Sequence, residues 1–293
     1  MKRILILFLA LSCIGCKDAK SNIYETANST LLQSKPIAIF KTGKTNYPNI
    51  SVHRGGKGLL YYPENCLETL QYVSDSIVAI YEVDVAQTKD GQLVLIHDNS
   101  INRTTTGDGL VKDLNYAELK NFNLVDDYGN TTNFKIPLFS EVLEWCKTKG
   151  VILTVDIKRS VSQETVINAI RDAKAEDTSI IITYDVEQAK SAYKLAPDLL
   201  LSVSARNHKE LDRLLATNIP TQNMLAFTGT RLSSVSLYQR LHNENILCML
   251  GTLGNLDKQA KAKGEHLYSN FKNLGVDILA TDRPFMAYNT INK

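Results

Sequence analysis

From residue 50 onward, short apolar and β-branched runs alternate with amphipathic stretches of helical character. The runs cover residues 50–53, 78–85, 93–97, 151–157, 179–184, 200–203, 224–227, 246–250 and 276–280. Alternation of this kind predicts a parallel sheet with crossover helices. Nine runs are one too many for an eight-stranded barrel. Between Val85 and Leu93 lies only Ala-Gln-Thr-Lys-Asp-Gly-Gln, too short for a parallel crossover, which needs a dozen or more residues. Asp90-Gly91 is a two-residue hairpin signal. Run 93–97 is therefore expected to fold back antiparallel on the run before it, with Lys89 opposite Gln92 and Asp84 opposite His97. The prediction is one (β/α)8 barrel over residues 46–293, with a β-hairpin and a long loop inserted after strand 2. That loop, residues 99–135, is expected to hold one short helix near 116–122 and to lie on the catalytic face, where long barrel loops tend to be functional.

The start of the chain follows a different pattern. Lys2 and Arg3 precede a mostly apolar stretch, residues 4–14, that ends in Gly15-Cys16. This reads as a secretory signal, too short to span a bilayer. A small residue before a cysteine also resembles the bacterial lipobox, although Cys13 stands where that pattern usually has Leu. The expectation is a lipoprotein signal peptide over 1–15, lipidation at Cys16 and a flexible tether over 16–45, rich in Lys, Ser, Asn and Thr. The protein would then be exported and anchored to a membrane, periplasmic or at the cell surface. An ordinary cleaved signal with a chance cysteine is the competing reading. Cys66, Cys146 and Cys248 form no CxxC or Cys/His cluster in sequence and read as small core residues.

Composition agrees with a globular body: 44% of residues are hydrophobic, 22% charged and 8% aromatic, which excludes collagen-like, disordered and polytopic membrane chains. Removing Lys2 and Arg3 from 33 basic residues leaves 31, against 31 acidic ones. A near-neutral chain gives no general attraction to nucleic acid.

The candidate chemistry lies at strand ends. Glu82 and Asp84 are spaced i, i+2, so both carboxylates leave one face of a strand. Two anions at the end of a buried strand repel and are costly to desolvate. A divalent cation relieves both costs, and oxygen-only ligands favour calcium or magnesium. Asp156 and Lys158 repeat the spacing on another strand, adding a third carboxylate and a cation suited to an anionic ligand. His53 ends the first strand and is followed by Arg54-Gly55-Gly56, whose Arg offers a planar fork for phosphate. His97 ends the hairpin strand. Two histidines beside a metal suit acid–base work at neutral pH. His208, His242 and His266 sit in polar helical stretches and read as surface or hydrogen-bonded residues.

Together these residues form an ordered set: His53-Arg-Gly, Pro63-Glu64-Asn65, Glu82-Val-Asp84, Thr88-Lys-Asp-Gly91, His97-Asp98, Arg103-Thr104-Thr105 and Gly107-x-Gly109. The set closely resembles the glycerophosphodiester phosphodiesterase family. The resemblance extends to Ile136-Pro137, Asp156-Ile-Lys158 and the stretch Gly275 to Asp282. It implies a TIM barrel that hydrolyses phosphodiesters with a bound divalent cation. By position, His53 and His97 would be the catalytic acid–base pair, and Arg54 and Lys158 the phosphate contacts. Glu82, Asp84 and Asp156 would hold one Ca2+ or Mg2+. Glu64 and Asn65 would organise the first loop. Two departures stand out. The family usually has Glu where this chain has Asp156, and its late Trp-Thr-Val-Asn stretch is replaced by Cys248 to Asn255, which changes the pocket wall. Two further readings keep or discard the machinery: a lysophospholipid or phosphoinositide phosphodiesterase at the membrane, or a non-catalytic phosphate-ligand-binding lipoprotein.

Overall fold

Each of the nine runs forms a strand in the computed structural model, which describes residues 32–292. The expected signal peptide, Cys16 and the part of the expected tether up to residue 31 lie outside the described residues. The strands are β1 (Ile50–Val52), β2 (Ile80–Gln87), β3 (Leu93–Leu95), β4 (Ile152–Ile157), β5 (Ser179–Thr183), β6 (Leu200–Ser204), β7 (Met224–Phe227), β8 (Leu247–Gly251) and β9 (Ile278–Thr281). All except β3 are parallel, in the order β1-β9-β8-β7-β6-β5-β4-β2, and β1 closes the ring on β2. The chain is a (β/α)8 TIM barrel. Helices α1 (Lys35–Ile39), α2 (Leu67–Ser74), α3 (Tyr116–Leu119), α4 (Phe139–Lys149), α5 (Gln163–Ala173), α6 (Val186–Leu195), α7 (His208–Leu215), α8 (Val235–Asn243), α9 (Asn255–Lys263), α10 (His266–Asn273) and α11 (Pro284–Ile291) complete it.

The two-residue period of the strands sorts side chains into layers inside the barrel. At the N-terminal ends of the strands the inner layer is wholly aliphatic: Ile80, Ile152, Ile180, Leu200, Leu225, Leu247 and Ile278 pack together. Two residues further along, the same faces carry Glu82, Thr154, Ile182, Ser202, Phe227, Met249 and Ala280. The base is thus a sealed apolar plug and the C-terminal mouth carries the polar groups.

Residues 34–45 correct the expected tether. Helix α1 brings Ile37 and Phe40, 1% and 2% exposed, against the aliphatic base layer, and the Ser34 N–H donates to the Asp198 carbonyl at 3.0 Å. Apolar groups in an otherwise polar stretch cover the open end of the barrel, so residues from Ser34 onward belong to the folded body, which was expected from residue 46.

The hairpin register also differs from expectation by one residue. Val85 faces Leu95 and Gln87 faces Leu93, so the Ile96 N–H, not that of His97, meets the Asp84 carbonyl, at 2.9 Å. The turn has three residues, Lys89-Asp90-Gly91. Thr88 N–H bonds the Gln92 carbonyl, Gly91 N–H bonds the Thr88 carbonyl, and Gly91 takes φ +82°. A type I turn closed by a left-handed glycine adds one residue to the loop and slides the partner strand accordingly. The Asp90 carboxylate fixes it, accepting the Thr88 hydroxyl at 2.6 Å and the Tyr116 N–H at 3.0 Å.

The excursion after β3 carries α3 within the expected region and builds its own small core, in which Ile101, Val111, Leu119, Leu124 and Ile136 pack on Ala86, Val94 and Ile96. It packs beside the C-terminal end of β2.

Candidate active site

Three inward residues of neighbouring strands, Glu82, Asp84 and Asp156, converge at the mouth. Asp84 and Asp156 face each other across β2 and β4, and carboxylate oxygens of all three lie within 4.8 Å of one another. Burial first, then repulsion from Asp84 and Asp156, raises the Glu82 carboxyl well above its ordinary range. Asp156 is raised too, by burial and by Asp84, with Lys158 opposing. Each carboxylate is held by one or more donors. Asn65 clamps Asp84 through side-chain and backbone bonds of 2.7 and 2.9 Å. The Arg54 N–H meets Glu82 Oε2 at 2.6 Å. Lys158 Nζ bridges Asp84 at 2.6 Å and Asp156 at 3.0 Å. Asp156 Oδ1 is buried with no hydrogen-bond partner among the described residues. Three oxygen donors, mutual repulsion and one orphaned buried oxygen fit a hard divalent cation.

The Arg54 donor depends on a strained turn. Arg54, Gly55 and Gly56 adopt φ values of 49°, 67° and 140° in succession, turning the chain sharply as it leaves β1. A Cβ at Gly56 would meet Thr69 Cγ2 at 2.5 Å, so glycine is required there. Arg54, a non-glycine in the left-handed region, is held by its N–H bond to Glu82 and by its carbonyl, which accepts the Asn65 N–H at 2.7 Å. This is backbone strain kept in place by the site itself.

Both histidines are oriented by carboxylates. His53 Nδ1 lies 2.6 Å from Asp282 Oδ1, and His97 Nδ1 lies 2.7 Å from Asp98 Oδ1. An ionised carboxylate only accepts, so Nδ1 carries the hydrogen and Nε2 is left for chemistry. Asp282 reaches His53 because barrel closure pairs Val52 with Thr281; buried Asp257 steadies that strand end by accepting the Asp282 N–H at 2.8 Å. Asp98 is locked by Arg103 Nε at 2.6 Å, and that bond, with His97 adding to it, holds its carboxyl well below the usual range. Arg103 also reaches Glu64 at 2.7 Å.

Glu64 joins the two arms. It accepts from Arg54 Nη1 at 3.0 and 3.2 Å, Lys57 at 3.2 Å and Arg103, while only 3% exposed. Burial alone would raise its carboxyl, but the Arg103 hydrogen bond and the charges of Arg54, Lys57 and Arg103 bring it down to about 2.

His53, Glu82, Asp84, His97 and Asp156 line one cavity of about 210 Å³, together with Ser51, Thr154, Ser202, Phe227, Met249 and Leu253. Lys158 lines a neighbouring trough of about 690 Å³, shared through Asp156, Ile182 and Tyr184. Arg54 lines neither: its Nη1 is turned to Glu64, and its buried Nε has no acceptor among the described residues. Met249 and Leu253 supply the altered wall, and Trp145 is a half-buried residue of α4 packed on the outer core. Asp282, Arg103 and Tyr184 were not picked out by sequence reasoning as site residues. For Asp282 the usable signal was the adjacency of first and last strands that a closed barrel imposes.

The family model described as the glycerophosphoryl diester phosphodiesterase family matches residues 53–285. The chain belongs to this family. A crystal structure of a glycerophosphoryl diester phosphodiesterase from Parabacteroides distasonis is 30% identical, with a TM-score of 0.83, over 89% of this chain and 92% of that one. A glycerophosphodiester phosphodiesterase of Bacillus altitudinis is 30% identical over 242 residues, 80% of this chain and 94% of that protein. An Oleispira antarctica phosphodiesterase, solved in complex with the product sn-glycerol-3-phosphate, shares the fold at a TM-score of 0.69 and 21% identity, over 84% of this chain and 98% of that one. Two other matched relatives are spanned over 63% and 65% of their own length.

Proposed function

We propose that this family member hydrolyses glycerophosphodiesters to glycerol 3-phosphate and an alcohol, using one divalent cation, Ca2+ or Mg2+, and two-histidine acid–base catalysis. The observation that carries the reading is the single cavity in which two carboxylate-oriented histidines, each with Nε2 free, flank three converging carboxylates. A binding protein has no need of such a pair. The product complex of the Oleispira relative supports the same product.

In this mechanism Glu82, Asp84 and Asp156 would hold the cation, whose chemistry there would be to offset charge developing on the phosphate. Arg54, whose Nε lies 4.0 Å from Asp84 Oδ2, and Lys158, which bridges Asp84 and Asp156, would add positive charge beside the phosphate oxygens. One of His53 and His97 takes the proton of the attacking oxygen at Nε2, and the other gives a proton to the leaving alkoxide. Asp282 and Asp98 hold the imidazoles in the working tautomer and stabilise the imidazolium form of each.

Lipidation at Cys16 and export belong to the same proposal. The described chain enters the barrel at its base through α1, opposite the mouth.

The test is release of glycerol 3-phosphate by residues 17–293 from glycerophosphocholine, glycerophosphoethanolamine and glycerophosphoinositol, with calcium, magnesium or EDTA. Metal-dependent release, lowered roughly 10²–10⁴-fold by His53→Ala and by His97→Ala, is expected. Bound metal with no release from any of the three would overturn it.

A further inference from the structure

A second cluster of metal-ligating side chains lies at the other end of the barrel. His242 closes α8, Cys248 points outward from the start of β8, and Asp277 immediately precedes β9. Cys248 Sγ is 3.3 Å from Asp277 Oδ2 and 3.9 Å from His242 Nε2, and the last two atoms are 2.7 Å apart. Zinc bonds of about 2.3 Å to sulfur and 2.0–2.1 Å to nitrogen or oxygen imply tetrahedral edges of roughly 3.3–3.6 Å. The two sulfur edges already agree within about 0.4 Å, and the His–Asp edge, now spanned by a hydrogen, opens by about 0.6 Å when that hydrogen leaves.

We propose that His242, Cys248 and Asp277 bind a zinc-class transition-metal ion at the base of the barrel, separate from the hard-cation site at the mouth. The donor sets differ in kind. Thiolate and imidazole select zinc or cobalt, whereas the all-oxygen trio at the mouth selects calcium or magnesium. Binding replaces two hydrogens. The thiol hydrogen leaves as a proton, and the imidazole gives up the Nε2 hydrogen that bonds Asp277 and takes one on Nδ1 instead, exchanged through solvent on a side chain 35% exposed. A dication with one thiolate and one carboxylate is neutral as a unit, which suits a buried location. The half-exposed imidazole leaves a path for the ion and room for a water as fourth ligand.

The surroundings already orient the ligands. Asp277 accepts the Cys248 N–H at 2.8 Å and the Tyr47 hydroxyl at 3.2 Å, and Lys272 donates to the Asp277 backbone carbonyl. Without metal the thiol stays protonated, donating to the Gly275 carbonyl at 3.1 Å; burial, then Asp277, push it far above its ordinary range. The ion would fasten the ends of α8, β8 and β9 to one another.

The experiment titrates the chelator-treated full chain with Co2+ while recording the near-ultraviolet spectrum. A thiolate-to-cobalt charge-transfer band growing to one equivalent, displaced by Zn2+, is expected, and an oxygen-only site cannot produce it. Cys248→Ser should abolish the band, and Glu82→Gln should leave it unchanged. His242→Ala, on the half-exposed end of a surface helix, should weaken cobalt binding at least about 10-fold and decides the matter if Cys248→Ser does not fold. Tyr47, Lys272, His242 and Asp277 face the sulfur. With them present, affinity should still rise at least about tenfold per pH unit near neutrality, because the thiol proton is released. No band at stoichiometric metal, a band that survives Cys248→Ser, or unchanged affinity in His242→Ala would overturn the site.

Discussion

Glu64→Gln tests the junction between the phosphate arm and the His97 arm. The substitution keeps the shape of the side chain and removes the charge that Arg54, Lys57 and Arg103 share. Glu64 has its carboxyl lowered from 4.5 to about 2 on folding. A depressed carboxyl stabilises the fold fully above its unfolded value and loses that contribution as pH falls toward the folded one. At 1.36 kcal/mol per unit, the charge is worth about 3 kcal/mol at pH 7, and linkage leaves less than half of that at about pH 3. Urea unfolding of wild type and variant should therefore give a stability gap of about 3 kcal/mol at pH 7 that narrows by about 2 kcal/mol at about pH 3. The residue is almost fully buried, so solvent screening does not shrink the figure. Turnover should fall as well, since a glutamine amide holds Arg103 beside Asp98 without the charge that Glu64 supplies. A gap below about 1 kcal/mol at pH 7, or one that does not narrow with acid, would refute the view of Glu64 as a buried counterion.

Three further outcomes follow from the same geometry. Asp282→Asn should lower kcat at least about 10-fold with little change in KM, less than His53→Ala does, because it disturbs only the tautomer and orientation of His53; equal rates in steady-state assays would remove Asp282 from the site. Calcium or magnesium at about 100 times its dissociation constant should stabilise the chelated protein by about 2.7 kcal/mol, roughly 5–10 °C in Tm. Scanning calorimetry should show this shift lost in Glu82→Gln and weakening as pH falls, since protons compete for carboxyls whose affinity for them is raised. Phe40→Ala should cost about 3–5 kcal/mol in urea unfolding, as for a core phenylalanine; a loss below about 1 kcal/mol would return residues 34–45 to the tether.

What could be read from the sequence was whatever depends on strand period and short spacing. The i, i+2 pairs Glu82/Asp84 and Asp156/Lys158 needed only the two-residue repeat of a strand to share a face, and strand order then brought them together. The surplus ninth run was recognisable because seven residues cannot make a crossover. Its register was not, because Asp90-Gly91 serves a two- or a three-residue turn equally well. The choice was made by Asp90 accepting from Thr88 and from Tyr116, the latter 26 residues away. The plug was hidden for a related reason: α1 is five residues long, too short to show a helical period, and its apolar pair has meaning only against a base built from seven distant strands. The histidine partners divide along the same line. Asp98 is next to His97 in the chain, whereas Asp282 lies 229 residues from His53 and becomes its neighbour only once the barrel closes. Local spacing thus located the three carboxylates and both histidines, while the imidazole of His53 is set by barrel closure, and the strain at Arg54 and the charge of Glu64 by contacts among the loops after β1, β2 and β3. Substitutions among those groups, which the folded chain assembles from separate segments, should therefore change kcat and stability together.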